Sequence, residues 1–474
     1  MDLRFLNIIK NNLKLSNTQP VVIAFSGGID SVCLLNLFYK LENPLIIAHF
    51  NHGIRKNADL DERFARKLAK QLGCDFVSEK TDVKKYALEN HFSLEEAARI
   101  KRYDFLYRIA KQKNALYIAV GHHADDQVET VFMHLMRGSG LTGLAGMKEI
   151  TIIPEFDSDI KILRPLLSFW RSEIEEFCLK NNLEYVVDET NFSNLYERNR
   201  IRHEILPYLN ERYCGLNQRL LNMTNVLQYD DELIQEHLSK IWESICLQQH
   251  PEFIRLSISE LKNQPLGLQR RIIRFVAFSL RPDLRDLSFT NIETLLAFMY
   301  KNKTGEIDLH DHLIAIFTNQ EILFGSKSKD WIGLLFPQVQ GQLKIEIGQL
   351  DRFEISESWL FQVEMIKDSN NVQIKTENEF TVLLDGENIG EFLVLRGKND
   401  GDKFQPLGME KGSVKLSDFF INVKVMQAAR EKWPLVTNLE GEIIWIPGNR
   451  PAHKYRVTGT TKKIIKMSVL KTIG

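Results

Sequence analysis

The chain has few cysteines, and none of them are spaced as in a typical metal or redox site. Among its 474 residues are five cysteines, which lie far apart at Cys33, Cys74, Cys178, Cys214 and Cys246. No two of them form a CxxC pair, the spacing of many zinc sites and of redox dithiols. We therefore predict reduced, mostly buried thiols and neither kind of site.

Long apolar runs and targeting signals are also lacking. The longest apolar runs, such as residues 20–25, are far too short to cross a bilayer. The N-terminal residues show no signal-peptide pattern. These features predict a cytoplasmic protein that has no membrane partner.

An excess of charge is absent from the chain as a whole, whose formal net charge is −1. The charges are nevertheless segregated, because residues 450–474 contain lysines and arginines but no acidic residue. A local positive field is enough to bind a nucleic acid, so the net charge does not exclude such a partner. The alternative is that these lysines protect the exposed edge of a sheet.

Strand and helix patterns alternate through the first part of the chain. The predicted strands are 20–25, 45–50, 74–78 and 116–120, and the predicted helices are 30–41, 59–72, 93–112 and 125–136. Short continuous apolar runs are typical of buried parallel strands. The alternation therefore predicts an α/β fold with a doubly wound, mostly parallel, Rossmann-like sheet.

The pattern changes after about residue 210. Helical periodicity covers 216–245, 268–280 and 291–300, a hairpin pattern covers 313–324, and short alternating strands dominate from residue 331. The chain is too long for one core, and we expect several domains. The predicted domains are a catalytic domain at 1–212, a mainly helical domain at 213–328, a connecting β-rich segment at 329–384, and a C-terminal α/β domain at 385–474.

The strongest chemical signal is the segment Ser26-Gly27-Gly28-Ile29-Asp30-Ser31, between the first strand and the first helix. Adjacent glycines allow close backbone approach, and backbone N–H groups before a helix form an anion site. The pattern Gly-x-x-x-x-Gly-Lys-Ser/Thr is absent, so this is not a Walker-type loop. Asp30 offers a carboxylate to Mg²⁺. The alternative is an ordinary Gly-Gly turn in which Asp30 or Ser31 caps the helix.

Three further clusters follow strands or lie on helices. They are Phe50-Asn51-His52-Gly53-Ile54-Arg55, Glu95 to Tyr103, and Gly121-His122-His123-Ala124-Asp125-Asp126-Gln127-Val128-Glu129-Thr130. Ligands gather at the carboxyl ends of strands in such sheets. We favour Mg²⁺ with ATP over a transition metal for the last cluster, because carboxylates suit a hard cation. Asp125 is also a candidate helix N-cap.

Together and in this order, these motifs resemble those of the tRNA(Ile)-lysidine synthase family of PP-loop ATP pyrophosphatases. The resemblance extends to the segments 137–147, 163–167, 188–191, 198–202, 401–408, 415–420 and 445–448. It implies that ATP adenylates the C2 oxygen of the wobble cytidine in an isoleucine tRNA with a CAU anticodon. Free lysine then displaces AMP and gives lysidine.

The resemblance and the clusters together give a set of candidate residues. The expected catalytic residues are Asp30, Arg99, Asp125 and Asp126, with Asp125 or Asp126 as the carboxylate that binds the attacking lysine. The expected ATP-binding residues are Ser26, Gly27, Gly28, Ile29, Asp30, Ser31, His52 and His122, with Mg²⁺ bound by Asp30. The expected tRNA-binding residues are Arg137, Arg198, Arg200, Arg202, Lys462 and Lys463. The sequence is also compatible with a homodimer.

Three other functions remain as alternatives. A PP-loop tRNA thiolase commonly uses paired cysteines, and the absence of CxxC argues against it. An amide-forming synthetase would need a glutaminase domain, for which no N-terminal cysteine nucleophile is present. A non-enzymatic RNA-binding protein would not need the acidic residues Asp30, Asp125 and Asp126.

Overall fold

The computed structural model describes residues 1–13, 15–16, 18–53, 58–186, 197–282, 287–309, 312–327, 330–348, 350–366 and 378–472. The chain divides into two compact units, residues 1–237 and 238–474. This division falls within a long helix rather than at the predicted boundary between residues 212 and 213. None of the described helices is both long enough and apolar enough to cross a membrane.

The first unit contains a six-stranded sheet in the order β3-β2-β1-β4-β6-β5. All neighbouring strands are parallel except the edge pair β5 and β6. The strands are β1 (Val21–Ala24), β2 (Leu45–Asn51), β3 (Asp75–Lys80), β4 (Tyr117–Ala119), β5 (Ile150–Ile153) and β6 (Asp157–Leu163). The prediction of a mostly parallel α/β sheet is confirmed.

Helices cover both faces of this sheet because its central strands are apolar throughout. In β1, Val21 and Ile23 pack into one hydrophobic cluster and Val22 packs into another. The helices of the unit are α1 (Asp2–Asn7), α2 (Ile29–Tyr39), α3 (Ala58–Leu72), α4 (Val83–Asn90), α5 (Leu94–Gln112), α6 (Ala124–Met136), α7 (Leu141–Leu144), α8 (Arg171–Lys180), α9 (Glu197–Arg200), α10 (Leu206–Arg212) and α11 (Leu216–Ile245). The turns that follow β1 and precede α6 lie at the carboxyl edge of the sheet.

The second unit begins with helices packed on an antiparallel sheet in the order β7-β8-β11-β10-β9. The predicted helices and the hairpin are confirmed, whereas the other three strands of this sheet were not predicted. The helices are α12 (Ile258–Lys262), α13 (Leu266–Leu280), α14 (Phe289–Tyr300) and α15 (Ile332–Leu335); the strands are β7 (Cys246–His250), β8 (Phe253–Ser257), β9 (Gly305–Asp308), β10 (Leu313–Phe317) and β11 (Glu321–Ser326).

The rest of the second unit is β-rich, as predicted, and its two four-stranded sheets share one hydrophobic core. Its elements are β12 (Gln342–Glu346), β13 (Leu350–Ser356), β14 (Trp359–Ile366), β15 (Thr381–Asp385), β16 (Phe392–Arg396), β17 (Lys403–Phe404), β18 (Val414–Lys415), α16 (Leu416–Asn422), β19 (Leu435–Thr437), β20 (Ile443–Trp445) and β21 (Ile464–Lys471). The expected boundary between residues 384 and 385 falls inside this core. We therefore treat the part of the chain that the structure describes from residue 338 onward as one domain.

The basic strand β21 is an inner strand of its sheet. It pairs with β14 on one side and with β15 on the other. The interpretation that its lysines protect an exposed strand edge is therefore wrong, because both edges of the strand are paired.

The five cysteines are free thiols, as predicted. Only Cys33 and Cys178 are buried, while Cys214 is exposed and the other two are partly buried. The prediction that most of them are buried is therefore wrong.

Candidate active site

The loop of residues 26–31, called here the phosphate loop, is shaped for an anion. Gly27 has φ +87°, which favours glycine, and Gly28 is the N-cap of α2. The Ser31 hydroxyl accepts the N–H of Gly27 at 3.1 Å and donates to the Gly28 carbonyl at 2.8 Å. Because Gly28 is the cap, the alternative in which Asp30 or Ser31 caps the helix is wrong. The N-terminus of α2 and the turn before it therefore offer backbone N–H groups to a phosphate.

An ion pair lies directly beside the phosphate loop. The Arg171 Nη1 atom, from the first residue of α8, is 2.7 Å from both carboxylate oxygens of Asp30. Gly121 permits the close approach of strand β4, because a Cβ atom there would lie 3.2 Å from the Asp30 carbonyl carbon. Burial raises the pKa of Asp30, whereas His123 and Arg171 lower it. The effect of burial is the larger one, so the pKa of Asp30 lies above its ordinary value.

The first turn of α6 places a histidine among three carboxylates. His123 is the N-cap, and its N–H donates to Asp126 at 3.1 Å. The expectation that Asp125 is the cap is wrong, because Asp125 lies one residue inside the helix and accepts the Arg171 N–H at 2.8 Å. The His123 ring nitrogens lie 3.3 Å from Asp125, 3.5 Å from Asp126 and 3.8 Å from Asp30. Burial lowers the pKa of His123, but these carboxylates raise it more.

Two arginines neutralise the remaining acidic residues of α6. Arg202 Nη2 is 2.7 Å from Asp126 Oδ1 and 3.0 Å from Glu129 Oε2. Arg198 Nε is 3.0 Å from Glu129 Oε2, and its Nη2 is 3.3 Å from Asp126 Oδ1. Burial raises the pKa of Asp126, but His123 and the other nearby cationic groups lower it further, to about 2. Asp126 is therefore held as a carboxylate, and the Glu129 side chain lies between the same two arginines.

These groups surround one cavity of about 800 Å³ in the first unit. Its lining combines the phosphate loop, the start of α6, and α8 with the segment after residue 200. The polar and loop residues that line it include Ser26, Gly28, Ile29, Asp30, His123, Asp125, Glu129, Arg171 and Arg202. The cavity thus brings the phosphate loop together with Asp125 and Glu129 of α6, as the order of strands and turns predicts.

His122 and Asp126 are not among the residues that line this cavity. The Nδ1 atom of His122 is buried and has no hydrogen-bond partner among the described residues. Burial lowers the pKa of His122 to about 3; Asp126 opposes this effect, and Arg164 and Arg102 add to it. His122 is therefore a neutral imidazole next to the acidic cluster.

Acid should destabilise the protein through His122. The pKa of His122 in the folded protein lies below its ordinary value of about 6.5. At a pH between these two values the unfolded chain binds more protons than the folded protein does. The free energy of unfolding therefore decreases as the pH falls through this range. Between pH 8 and pH 5 the loss should be on the order of 2 kcal/mol. Denaturant unfolding at both pH values should show a smaller loss for His122→Gln than for the unchanged protein. His237→Gln, at an exposed position, is the control; equal losses for His122→Gln and the unchanged protein would contradict the assignment.

Other candidate residues of the first unit lie outside the cavity lining. Arg99 is exposed, and its guanidinium carbon is 5.8 Å from the centre of the Tyr103 ring. His52 is partly buried and meets the Phe50 ring edge-on at 4.8 Å. Arg137 is exposed, immediately after α6. None of these three residues is among those that line the cavity.

The candidate tRNA-binding residues have different surroundings. Arg200 is exposed and pairs with Glu204 at 3.5 Å, whereas Arg198 and Arg202 face the acidic cluster. Lys462 is exposed and Lys463 partly buried, just before β21. The motif at 188–191 and residues 54 and 55 lie outside the described residues.

Three residues of the site were not assigned a role from the sequence, namely Arg171, Glu129 and His123. Arg171 lies in a helix without a distinctive motif, about 140 positions after Asp30. Glu129 was visible in the histidine cluster, and its position three residues after Asp126 places both on one face of α6. The burial of Glu129, whose side chain is 2% exposed, depends on the arginines that pair with it.

The donors present fit Mg²⁺ that arrives with a nucleotide and not a metal held by protein alone. No group of three or more His, Cys, Asp or Glu residues among the described residues is arranged to bind a metal ion. Mg²⁺ is commonly bound by one or two carboxylates together with substrate phosphates. Asp30, beside the phosphate loop, is such a carboxylate.

Comparisons with known proteins agree with the family resemblance of the motifs. A family described as the PP-loop domain matches residues 1–209, and one described as the TilS substrate C-terminal domain matches residues 393–467. A protein of Clostridium perfringens named tRNA(Ile)-lysidine synthase is 32% identical over 481 residues, which cover 99% of each chain. Proteins of the same name from Dehalococcoides mccartyi and Clostridium tetani are each 31% identical; they cover 97% and 98% of this chain, and 97% of their own lengths. The chain therefore belongs to the tRNA(Ile)-lysidine synthase family.

Proposed function

We propose that the protein ligates free lysine to C2 of the wobble cytidine in the CAU-anticodon isoleucine tRNA, with ATP consumed to AMP and pyrophosphate. This makes it a ligase that forms a carbon–nitrogen bond in the cytoplasm. The observation that carries the proposal is the single cavity shared by the phosphate loop and the acidic residues of α6. Such a cavity supplies both an activating nucleotide site and carboxylates for an incoming amine.

In the first step the cytidine C2 oxygen attacks the α-phosphate of ATP, and pyrophosphate leaves. The backbone N–H groups of the phosphate loop would bind the nucleotide phosphates. Mg²⁺ held through Asp30 would supply electrostatic stabilisation of the leaving group. Arg171 lines the same cavity and carries a positive charge that would also face the phosphates.

In the second step the ε-amine of lysine attacks C2 and displaces AMP. The amine has an ordinary pKa of about 10.4, so it arrives protonated and must lose a proton before it attacks. Asp125 is the carboxylate we assign to this task. Its side chain is 35% exposed and lines the cavity, whereas Asp126 and Glu129 are held by Arg198 and Arg202.

The charge of Asp125 suits the binding of the protonated amine. Burial raises its pKa, but contact with His123 and the hydrogen bond from the Arg171 N–H lower it more, so that the net pKa lies below its ordinary value. At neutral pH Asp125 is therefore a carboxylate that attracts an ammonium group.

A thiolase is the less favoured function for this site. A PP-loop thiolase commonly relies on paired cysteines. Among the described residues that line the cavity there is no cysteine. The cavity instead presents carboxylates, the groups that an incoming amine requires.

The proposed reaction has a direct test. The protein is incubated with ATP, labelled lysine and an unmodified CAU-anticodon isoleucine tRNA, and the tRNA is digested to nucleosides. We expect labelled lysidine, with AMP formed only when the tRNA is present. AMP formation without incorporation of lysine would overturn the proposal, and incorporation of sulfur instead of lysine would support a thiolase.

The lysines just before β21 and near its start, at positions 462, 463 and 466, should contribute to tRNA affinity. Replacing Lys462, Lys463 and Lys466 together with glutamine should weaken binding and flatten its salt dependence. Each lost phosphate contact should reduce the slope of log K against log salt by about 0.9 for a duplex. Filter binding at several salt concentrations measures the slope.

A control triple variant separates this role from a general loss of charge. Lys67, Lys70 and Lys84 are exposed lysines of the first unit, and their replacement with glutamine removes the same charge. We expect the C-terminal triple variant to weaken binding of the whole tRNA more than binding of an isolated anticodon stem-loop. Equal salt-dependence slopes for the two triple variants would show that the C-terminal lysines do not contact the tRNA.

A further inference from the structure

The carbonyl that precedes the phosphate loop is held by a side chain. Strand β1 pairs with β2 as far as Ala24, which lies opposite Ala48. The N–H of the next residue, Phe25, still donates to the Ala48 carbonyl at 2.9 Å. The Phe25 carbonyl lies 3.0 Å from Nδ1 of His49, a residue of β2. An imidazole therefore connects the two strands at the point where the chain turns into the phosphate loop.

The surroundings of His49 fix the position of the proton on its ring. His49 is only 4% exposed, and this burial lowers its pKa. The hydrogen bond with Phe25 and the charges of Glu62 and Asp61 oppose the effect of burial but are smaller. The ring is therefore neutral at neutral pH. Because a carbonyl oxygen can only accept a hydrogen bond, the single ring proton lies on Nδ1, which donates it to the Phe25 carbonyl.

The Phe25 side chain is fixed by a second element, helix α3. Phe25 is buried, and its ring stacks on that of Phe64 with the ring centres 6.4 Å apart. A Cβ atom on Gly27 would lie 3.6 Å from the same Phe64 ring. Ser26 lines the cavity, whereas His49 is not among the described residues that do so. His49 therefore acts on the cavity from behind its wall.

The His49 hydrogen bond sets the orientation of the first peptide group of the phosphate loop. The peptide bond between Phe25 and Ser26 is planar and trans, so the Ser26 N–H points away from the carbonyl that His49 holds. The Ser26 hydroxyl in turn accepts the Gly28 N–H at 3.3 Å. A rotation of this peptide group would therefore turn one N–H group of the loop and displace the hydroxyl that supports the following turn.

We propose that His49 is a positioning residue for the triphosphate of the bound nucleotide, and that it acts through the Phe25 carbonyl and the Ser26 peptide group. The inference rests on the proposed function only in taking ATP as the ligand. Backbone N–H groups bind a phosphate when they converge on it. Loss of the His49 hydrogen bond releases one of these groups, so the affinity for the phosphates falls while the affinity for the nucleoside does not.

Two amide substitutions at position 49 test this role. His49→Asn places its amide nitrogen where Nδ1 of the histidine lies, whereas His49→Gln places it near the position of Nε2 and removes the donor from the Phe25 carbonyl. Dissociation constants are measured for adenosine and for α,β-methylene ATP with Mg²⁺, an analogue that resists cleavage between the α- and β-phosphates. In His49→Gln the affinity for the analogue should fall by about tenfold, the scale of a lost hydrogen bond. The affinity for adenosine should be unchanged, and His49→Asn should restore most of the loss.

A second histidine of the same unit provides a matched control. Nδ1 of His134, on α6, lies 2.6 Å from the Gly143 carbonyl, and His134 is not among the described residues that line the cavity. His134→Gln therefore removes a contact of the same kind at another loop and should leave both affinities unchanged. A merely structural role of His49 would lower the melting temperature without a loss that is specific to the phosphates.

Two outcomes would overturn the inference. One is an unchanged affinity for the analogue in His49→Gln, and the other is an equal loss of affinity for the analogue and for adenosine. Should His49→Gln fail to fold, nitrogen NMR spectra of the unchanged protein provide a second measurement, with the His49 signal assigned by its loss in His49→Asn. The analogue should shift this signal of an Nδ1–H tautomer more than adenosine does, and equal shifts or the other tautomer would refute the role.

The proposed function is tested separately, by lysidine formation in the unchanged protein. A protein that makes lysidine but shows no phosphate-specific loss in His49→Gln refutes only the role of His49. A protein that shows this loss but makes no lysidine refutes the proposed function and leaves the role of His49 in place.

Discussion

Asp30→Ala should abolish lysidine formation while the fold persists. The carboxylate lies beside the phosphate loop, lines the cavity and pairs with Arg171. Its removal takes away the proposed protein ligand of Mg²⁺ at the pyrophosphate leaving group. A loss of several kcal/mol of stabilisation corresponds to a rate reduced by about 10³-fold or more. Nucleoside analysis after single-turnover reactions measures this rate.

The fold should tolerate the change, because Asp30 is partly exposed and Arg171 keeps its contact with Glu175 at 3.0 Å. Asp2→Ala is the matched control, since Asp2 is also an aspartate in an ion pair, with Lys40 at 2.9 Å, but lies away from the cavity lining. The control should keep normal activity. Near-normal lysidine formation by Asp30→Ala would remove this residue from the mechanism.

The first unit shows how far the local pattern of a sequence predicts a fold. The strand β1 is apolar on both faces and β2 begins with four apolar residues, and such runs are typical of a buried parallel strand. The helix predicted over 93–112 is also observed as α5, and the hydroxyl of its N-cap Ser93 accepts the Glu96 N–H at 3.2 Å. These signals are local, so one sequence is sufficient to recognise them.

The limits of prediction appear where a decision depends on distant residues. The alternative that the C-terminal lysines protect a strand edge could not be decided from the sequence, because the sequence does not show which strands lie on either side of β21. The sequence also does not show that β15 and β21 are neighbours in one sheet, because residues 386–463 lie between them. Strand order depends on tertiary packing, which a local pattern does not contain.

The candidate site was predicted in part. The motifs identified the phosphate loop and the acidic residues of α6 because their chemistry is concentrated in short segments. Arg171 was missed because its role depends on α8 lying against α2, which brings its guanidinium to Asp30. Our proposal of Asp125 rather than Asp126 also uses the structure, because Asp125 lines the cavity whereas Asp126 is paired with Arg198 and Arg202.

The two neighbouring aspartates should give different defects when each is changed to asparagine. Asp125→Asn removes the carboxylate that faces the cavity, so the lysine step should slow by about 10²-fold or more, the scale of a lost acid–base group. Adenylation should continue, and adenylated tRNA should accumulate. Asp126→Asn weakens the contacts with Arg198 and Arg202, so both steps should slow while tRNA binding stays close to normal.

Rapid-quench measurements of pyrophosphate release and of lysidine formation separate the two steps. A rise in pH should partly rescue Asp125→Asn, because the fraction of neutral lysine amine grows about tenfold per pH unit below its pKa of about 10.4. The unchanged protein, which has its own proton acceptor, should respond less. The same defect in both steps for Asp125→Asn, with no rescue at high pH, would transfer the lysine-binding role from Asp125 to another carboxylate of the cluster.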